Sequence, residues 1–509
     1  MKTVFSYFLL FVLCNVIYCD AAKAQQKSDR PNIVIIYMDD LGYGDVSAYG
    51  GTVLKTPNID QLAKDGLRFT NGRSTSSTCT PSRFAILTGV YPWRNKDAKI
   101  LPGDAPLLID TQRQTLPKML KQAGYHTGIV GKWHLGLGQG KIDWNKHISP
   151  GANEVGFDYS YIMAATQDRV PSVLIENGNV VGLEANDPIE VDYTKNFEGE
   201  PTGLDNPELM RIRYHHGHNN SITNGIPRIG FMKGGKKARW IDEDLADTFL
   251  HKAQEYIKQH KTEPFFLCYN MHQPHVPRTP HKRFEGLSGL GPRGDVILEA
   301  DWCIGEFMKT LEKERLMDNT LIIFSSDNGP VLNDGYYDNA VELLGAHKPW
   351  GPFRGGKTSL YEAGTRVPFI VQWRQKIKPG VSDALVCQID LIASLGNMLH
   401  ITHEQSDSQD VLNALLGKST KGRSELILEA MSKTALLQGD WVMIPPYDGP
   451  AVTKTTNIER GNSPEYQLYN LKDDIGQQNN LAKTYPKILK KMIDRHQALV
   501  GETEKGKNK

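Results

Sequence analysis

The chain has 509 residues, with 59 Lys and Arg against 58 Asp and Glu, a formal charge of +1 and 39% apolar residues. This composition excludes a mainly disordered chain and leaves no global basic field for nucleic acid or an acidic membrane, so any bound anion must be held by a local cluster. Six cysteines in this length do not form a disulfide scaffold.

In chain order, the first predicted element is an export signal over residues 1–24. Lys2 precedes an almost wholly apolar stretch, and Ala22-Lys23-Ala24 supplies the small-x-small pattern of signal-peptidase cleavage, making Gln25 the mature start. The stretch is too short for a membrane span, and bulky Tyr18 before Cys19 makes a poor lipobox, so the reading is a soluble exported protein. Asn219-Asn220-Ser221 is a sequon without a rich N-glycosylation pattern around it, which favours the bacterial periplasm over secretion or a lysosome. Cys14 and Cys19 leave with the signal, while Cys79, Cys268, Cys303 and Cys387 remain and show no paired spacing.

The continuous apolar runs 32–37, 264–269 and 320–324 predict parallel strands buried on both faces. Helical spacing over 59–65, 115–123, 243–259 and 295–314 alternates with them, as a layered α/β domain over 25–400 requires. From 401 to 509 the pattern changes. Short antiparallel strands are predicted over 436–444 and 466–471 and a helix over 485–499, which makes a smaller α+β subdomain.

Polar groups at the carboxyl ends of parallel strands are where a site belongs. Asp39-Asp40 follows the first strand, and adjacent carboxylates repel unless a cation or hydrogen bonds hold them. One alternative is a turn in which one Asp caps and the other faces water. Asp327-Asn328 at another strand end tips the balance toward one divalent-cation site fed by two distant segments. Cys79-Thr80-Pro81-Ser82-Arg83 predicts a cysteine just before a helix starting near Pro81, beside unsatisfied amide donors and therefore suited to an anion.

Taken together, Cys79-x-Pro81-Ser82-Arg83 with Leu87-Thr88-Gly89, after the Asp-Asp strand end, resembles the type I sulfatases of the alkaline phosphatase superfamily. The resemblance extends over Gly131-Lys132-Trp133-His134, His275-Val276-Pro277, Asp327-Asn328-Gly329, Arg354-Gly355-Gly356-Lys357 and Leu468-Tyr469-Asn470-Leu471. It implies an α/β fold with a large mixed, mostly parallel sheet sandwiched by helices and a C-terminal antiparallel sheet. It also implies oxidation of Cys79 to formylglycine by a maturase, and one calcium ion held by Asp39, Asp40, Asp327, Asn328 and an oxygen of modified Cys79. In that family pattern Arg83 buttresses the nucleophile, Lys132 and Lys357 hold sulfate oxygens, His275 protonates the leaving alcohol and His134 serves the second step.

The expected activity is hydrolysis of O-sulfate from carbohydrate, on a terminal sulfated galactose or N-acetylgalactosamine, with the 4- or 6-position open. Rivals are a phosphonate or phosphate ester hydrolase of the same superfamily and a silent glycan-binding protein. Asp168, Arg169, His272 and Arg374, beside Trp373, are candidate sugar contacts. Tyr214-His215-His216-Gly217-His218 lacks the spacing of a helical metal pair and reads as a polar substrate loop, and the basic run 233–239 reads as a solvated face.

Overall fold

The computed structural model describes residues 30–402, 404 and 406–505, so the export signal lies outside the described residues. The central strand, β1 (Asn32–Met38), is buried along its whole length. Its alternate side chains serve two cores: Ile33, Ile35 and Tyr37 face one, and Val34, Ile36 and Met38 the other. A run apolar at every position is what a strand with both faces covered needs.

The main sheet adds β2 (Leu67–Phe69), β3 (His126–Lys132), β4 (Tyr159–Met163), β5 (Leu174–Glu176), β6 (Asn179–Val180), β7 (Phe265–Asn270), β8 (Thr320–Ser326), β9 (Phe369–Gln372) and β10 (Gly380–Ser382). The strand order is β10-β2-β9-β8-β1-β7-β3-β4-β5-β6. Strands β8, β1, β7, β3 and β4 are parallel, in registers such as Val34 opposite Leu267 and Ile322, while β9 runs antiparallel to β8. Helices α1 (Pro57–Asp65), α4 (Leu245–Gln259) and α5 (Gly291–Lys313) cover one face, and α2 (Cys79–Thr88), α3 (Leu116–Gln122) and α6 (Leu391–Met398) the other. The expected fold class stands: a large mixed sheet between helices, joined by a smaller antiparallel sheet.

That smaller sheet contains β11 (Glu425–Ala430), β12 (Lys433–Gln438), β13 (Trp441–Ile444) and β14 (Gln467–Asn470), with α7 (Pro486–Lys505) beside it. Strand β11 was not expected, and the stretch 436–444 is two strands, because Gly439 takes a left-handed φ of +57° and reverses the chain. The sheet shares an apolar core with Ala85, Tyr91 and Cys387, so the segment after 400 packs directly on the helix that begins at Cys79. Cys79, Cys268, Cys303 and Cys387 are all buried free thiols. Among the described residues no helix is long and apolar enough to cross a membrane.

Candidate active site

The parallel strands deliver charged side chains to one sheet edge. β1 runs into Asp39 and Asp40, β3 ends on Lys132, and β8 leads into Asp327 and Asn328. Helix α2 begins at Cys79 itself, after an extended Thr78. The expected start near Pro81 is two residues late, because proline fits any first-turn position whose N–H has no intrahelical acceptor.

An alternating charge network joins these residues. Lys132 Nζ donates to both oxygens of Asp39, at 2.8 and 2.7 Å, and lies 3.8 Å from Asp327 Oδ2. Arg83 Nε donates to Asp327 Oδ2 at 2.9 Å, and the guanidinium lies 5.1 Å over the Tyr37 ring. Lys357 Nζ donates to Asp40 Oδ2 at 2.9 Å and to Asp334 Oδ2 at 2.8 Å. His275 Nε2 stands 3.9 Å from Asp40 Oδ2 and 4.0 Å from Asp334 Oδ2. Asn328 Nδ2 donates to Asp40 Oδ1 at 2.7 Å, whereas Asn328 Oδ1 is buried without a hydrogen-bond partner.

An orphaned carboxamide oxygen among three crowded carboxylates is the donor set a hard divalent cation takes. Asp39, Asp40 and His275 bring one ligand atom each within 4.8 Å of one another. Burial raises the Asp39 carboxyl well above its usual range; Lys132 opposes that, and Asp327 and Asp40 add to it. Burial likewise raises the Cys79 thiol against the pull of Lys132 and Lys357, which keeps an unmodified thiol protonated near neutrality. Burial and then Lys357 hold His275 well below the ordinary imidazole range, and burial, Lys132 and Arg169 do the same to His134. Three non-glycine residues here have left-handed backbone: Asp40 at φ +64°, His134 at +55° and Thr358 at +69°. Such conformations cost on the order of 1–3 kcal/mol each and persist where surrounding bonds over-determine them. For Thr358 one such bond is its N–H donating to Ser77 O at 2.8 Å.

A cavity of about 130 Å³ adjoins Cys79 and is lined by Asp168, Arg169, His218, His275, Asp334 and Lys357, among others. Asp168 accepts from Arg169 Nη1 at 2.9 Å and lies 2.8 Å from His218 Nε2. His272, by contrast, is buried against Phe249, its pKa pushed down to about 4 by burial, and does not line the cavity. Arg374 is a correction. Its guanidinium pairs with Glu312 and lies 3.6 Å from Asp318, because β9 is antiparallel and delivers its carboxyl end to the opposite sheet edge. In the basic run, Lys233 and Lys237 pair with Glu190 and Glu184 at the surface.

Sequence reasoning missed Asp334, for which the only local signal is an Asn333-Asp334-Gly335 turn. It also missed Thr456 and Ile458, which reach the cavity from beyond residue 400. A further missed residue is Glu429 on β11. Its carboxylate accepts from Ser76 Oγ, and its carbonyl accepts from Ser77 N at 2.9 Å, so the small sheet holds the segment that presents Cys79. Burial pushes the Glu429 pKa up from 4.5 to about 7, while the Ser76 bond opposes the rise. The folded state therefore keeps a proton that the unfolded chain has lost, and this contribution to stability is full below the window and declines as pH rises toward about 7. Glu429→Gln is expected to gain stability relative to the parent as pH rises through that window, by up to roughly 1.4 kcal/mol per pH unit. Melting temperatures of both proteins across the range check this, and a constant difference rules it out.

Fold and site define an α/β enzyme whose cation-ringed pocket lies against a buried helix-start cysteine. The sulfatase family model matches residues 31–401, and the chain belongs to the sulfatase family. It is 52% identical to an N-acetylgalactosamine-6-O-sulfatase of Bacteroides thetaiotaomicron, over 92% of this chain and 93% of that protein. Human arylsulfatase A is 32% identical, over 78% of this chain and 70% of its own length. A solved structure from work on the metabolism of multiple glycosaminoglycans by Bacteroides thetaiotaomicron superposes with a TM-score of 0.91 at 51% identity, covering 92% of this chain and 99% of that one. The protein is a sulfatase.

Proposed function

We propose that this sulfatase removes the 6-O-sulfate of N-acetylgalactosamine from a glycan, working outside the cytoplasm, with the periplasm as its compartment. The observation that carries the substrate is the 52% identity, over 92% of the chain, to a relative named for that reaction. The reading includes oxidation of Cys79 to formylglycine by a maturase and one calcium ion at Asp39, Asp40, Asp327 and Asn328, completed by an oxygen of residue 79. The orphaned Asn328 Oδ1 and the crowded carboxylates support the ion. Formylglycine supplies a hydrated aldehyde as the nucleophile. Calcium supplies Lewis-acid neutralisation of charge on the sulfate.

The chain's own side chains do the rest. Lys132 and Lys357 set fixed positive charge where sulfate oxygens gather charge in the transition state. Arg83 keeps Asp327 in place through its 2.9 Å bond. Nδ1 of His275 donates to the Val276 carbonyl at 2.8 Å, leaving Nε2 as the atom that handles the leaving oxygen. Burial and Lys357 disfavour the charged form of His275, and the negative charge of an entering sulfate ester favours the proton it passes to the departing sugar alcohol. His134 donates through Nε2 to Leu101 O at 2.9 Å, and its buried, unpartnered Nδ1 is the base for the second half of the reaction.

A panel of N-acetylgalactosamine and galactose sugars sulfated at position 4 or 6 tests the assignment. Sulfate release is expected to be fastest from 6-sulfated N-acetylgalactosamine. Preferential release from a 4-sulfated sugar, or none from any member, would overturn it.

A further inference from the structure

Beside the catalytic cavity lies a second one of about 420 Å³, roughly three times larger and within the usual range of small-ligand sites. The two share Val331, Thr456 and Ile458. Three segments wall both: Arg354 faces the large cavity and Lys357 the catalytic one, Leu332 and Asp334 divide in the same way, and the turn at Thr456–Ile458 spans the junction. There Thr456 Oγ1 is buried with no hydrogen-bond partner. The larger cavity offers half-buried Trp350 and exposed Asn457 and Gln478. An apolar ring beside amide groups is the chemistry that takes a sugar, whose ring faces are apolar and whose edges carry hydroxyls. The Arg354 guanidinium is committed to Glu459 at 2.7 Å and to the Gln477 carbonyl at 2.7 Å, so the contact supplied there is to a ring and its hydroxyls rather than to a carboxylate.

We infer that this second cavity binds the sugar ring to which the sulfated residue is linked, making the enzyme selective for oligosaccharides over sulfated monosaccharides. Trp350 is the stacking platform and Thr456 the polar contact at the junction. The inference rests on the reading of the first cavity as a glycan-sulfate site. A monosaccharide fills only the catalytic cavity, whereas a disaccharide carrying the same terminal sulfated residue also covers Trp350.

The test compares binding of the two to full-length protein carrying Cys79→Ala, which removes the proposed nucleophile, with a neutral hexose as the second ring. The disaccharide is expected to bind about tenfold more tightly, and that ratio to fall to near one with Trp350→Ala. Gln478→Trp, a change at an exposed position that fills the cavity without touching its packed side, is expected to erase the ratio as well and guards against a Trp350 variant that misfolds. Equal affinities before either substitution, or a ratio surviving both, overturns the second cavity as a sugar site. A wrong substrate assignment has a different signature: 6-sulfated N-acetylgalactosamine fails to bind while another sulfated sugar keeps the disaccharide advantage.

Discussion

Replacing Cys79 by alanine is expected to lower sulfate release by roughly 10⁴-fold or more while the protein keeps its fold, because it removes the one group proposed to attack sulfur. The side chain is 2% exposed and small, so its loss leaves only a minor void at the start of α2. The charge network of Lys132, Lys357, Asp39 and Asp40 does not use the thiol as a hydrogen-bond partner and should persist. Burial keeps an unmodified thiol protonated near neutrality, so release by the parent protein should track the fraction of residue 79 found as formylglycine by peptide mass spectrometry. A Cys79→Ala protein that turns over at the parental rate, with a parental melting temperature, would falsify the nucleophile assignment.

The second large effect concerns His275. Its Nδ1–H is tied to the neighbouring carbonyl, and Nε2 is the ring atom left to meet a leaving oxygen near Asp40 and Asp334. A sugar alkoxide is a strong base and needs that proton, whereas an electron-poor phenolate departs without it. His275→Ala should therefore cost about 10²–10⁴-fold on a sulfated sugar and far less on an activated aryl sulfate. Paired kcat/KM measurements on the two substrates decide the point. Equal losses would assign His275 to binding or to holding the site together rather than to proton transfer.

Much of the site could be read from local residue order, for a physical reason. A strand covered on both faces must be apolar at every position, so β1 announces itself, and the polar residues where it stops are then suspects. Asp39, Asp40, Asp327 and Asn328 were found that way, and Cys79 through the Cys-x-Pro-Ser-Arg motif that carries the family resemblance. Arg374 was named a candidate sugar contact without support from spacing, at the limit of what local residue order can say. That order could not tell that β9 runs antiparallel and ends at the opposite edge. Asp334 escaped because a turn signal looks the same whether the loop faces water or a lysine. His218 was placed in a polar loop, yet only the folded chain brings it within 2.8 Å of Asp168.

By itself, then, the order of residues determined the central strands and, through its resemblance to the sulfatases, the family and the candidate site side chains. The strands follow from the apolar pattern and the resemblance from short motifs, each within a few turns of chain. The tertiary structure alone decided which cation meets which carboxylate, with Lys357 reaching Asp40 across 317 positions, and it alone opened the second cavity beside the first. Such pairings depend on strand order and direction, which arise from packing between segments hundreds of residues apart and leave no trace in any local pattern.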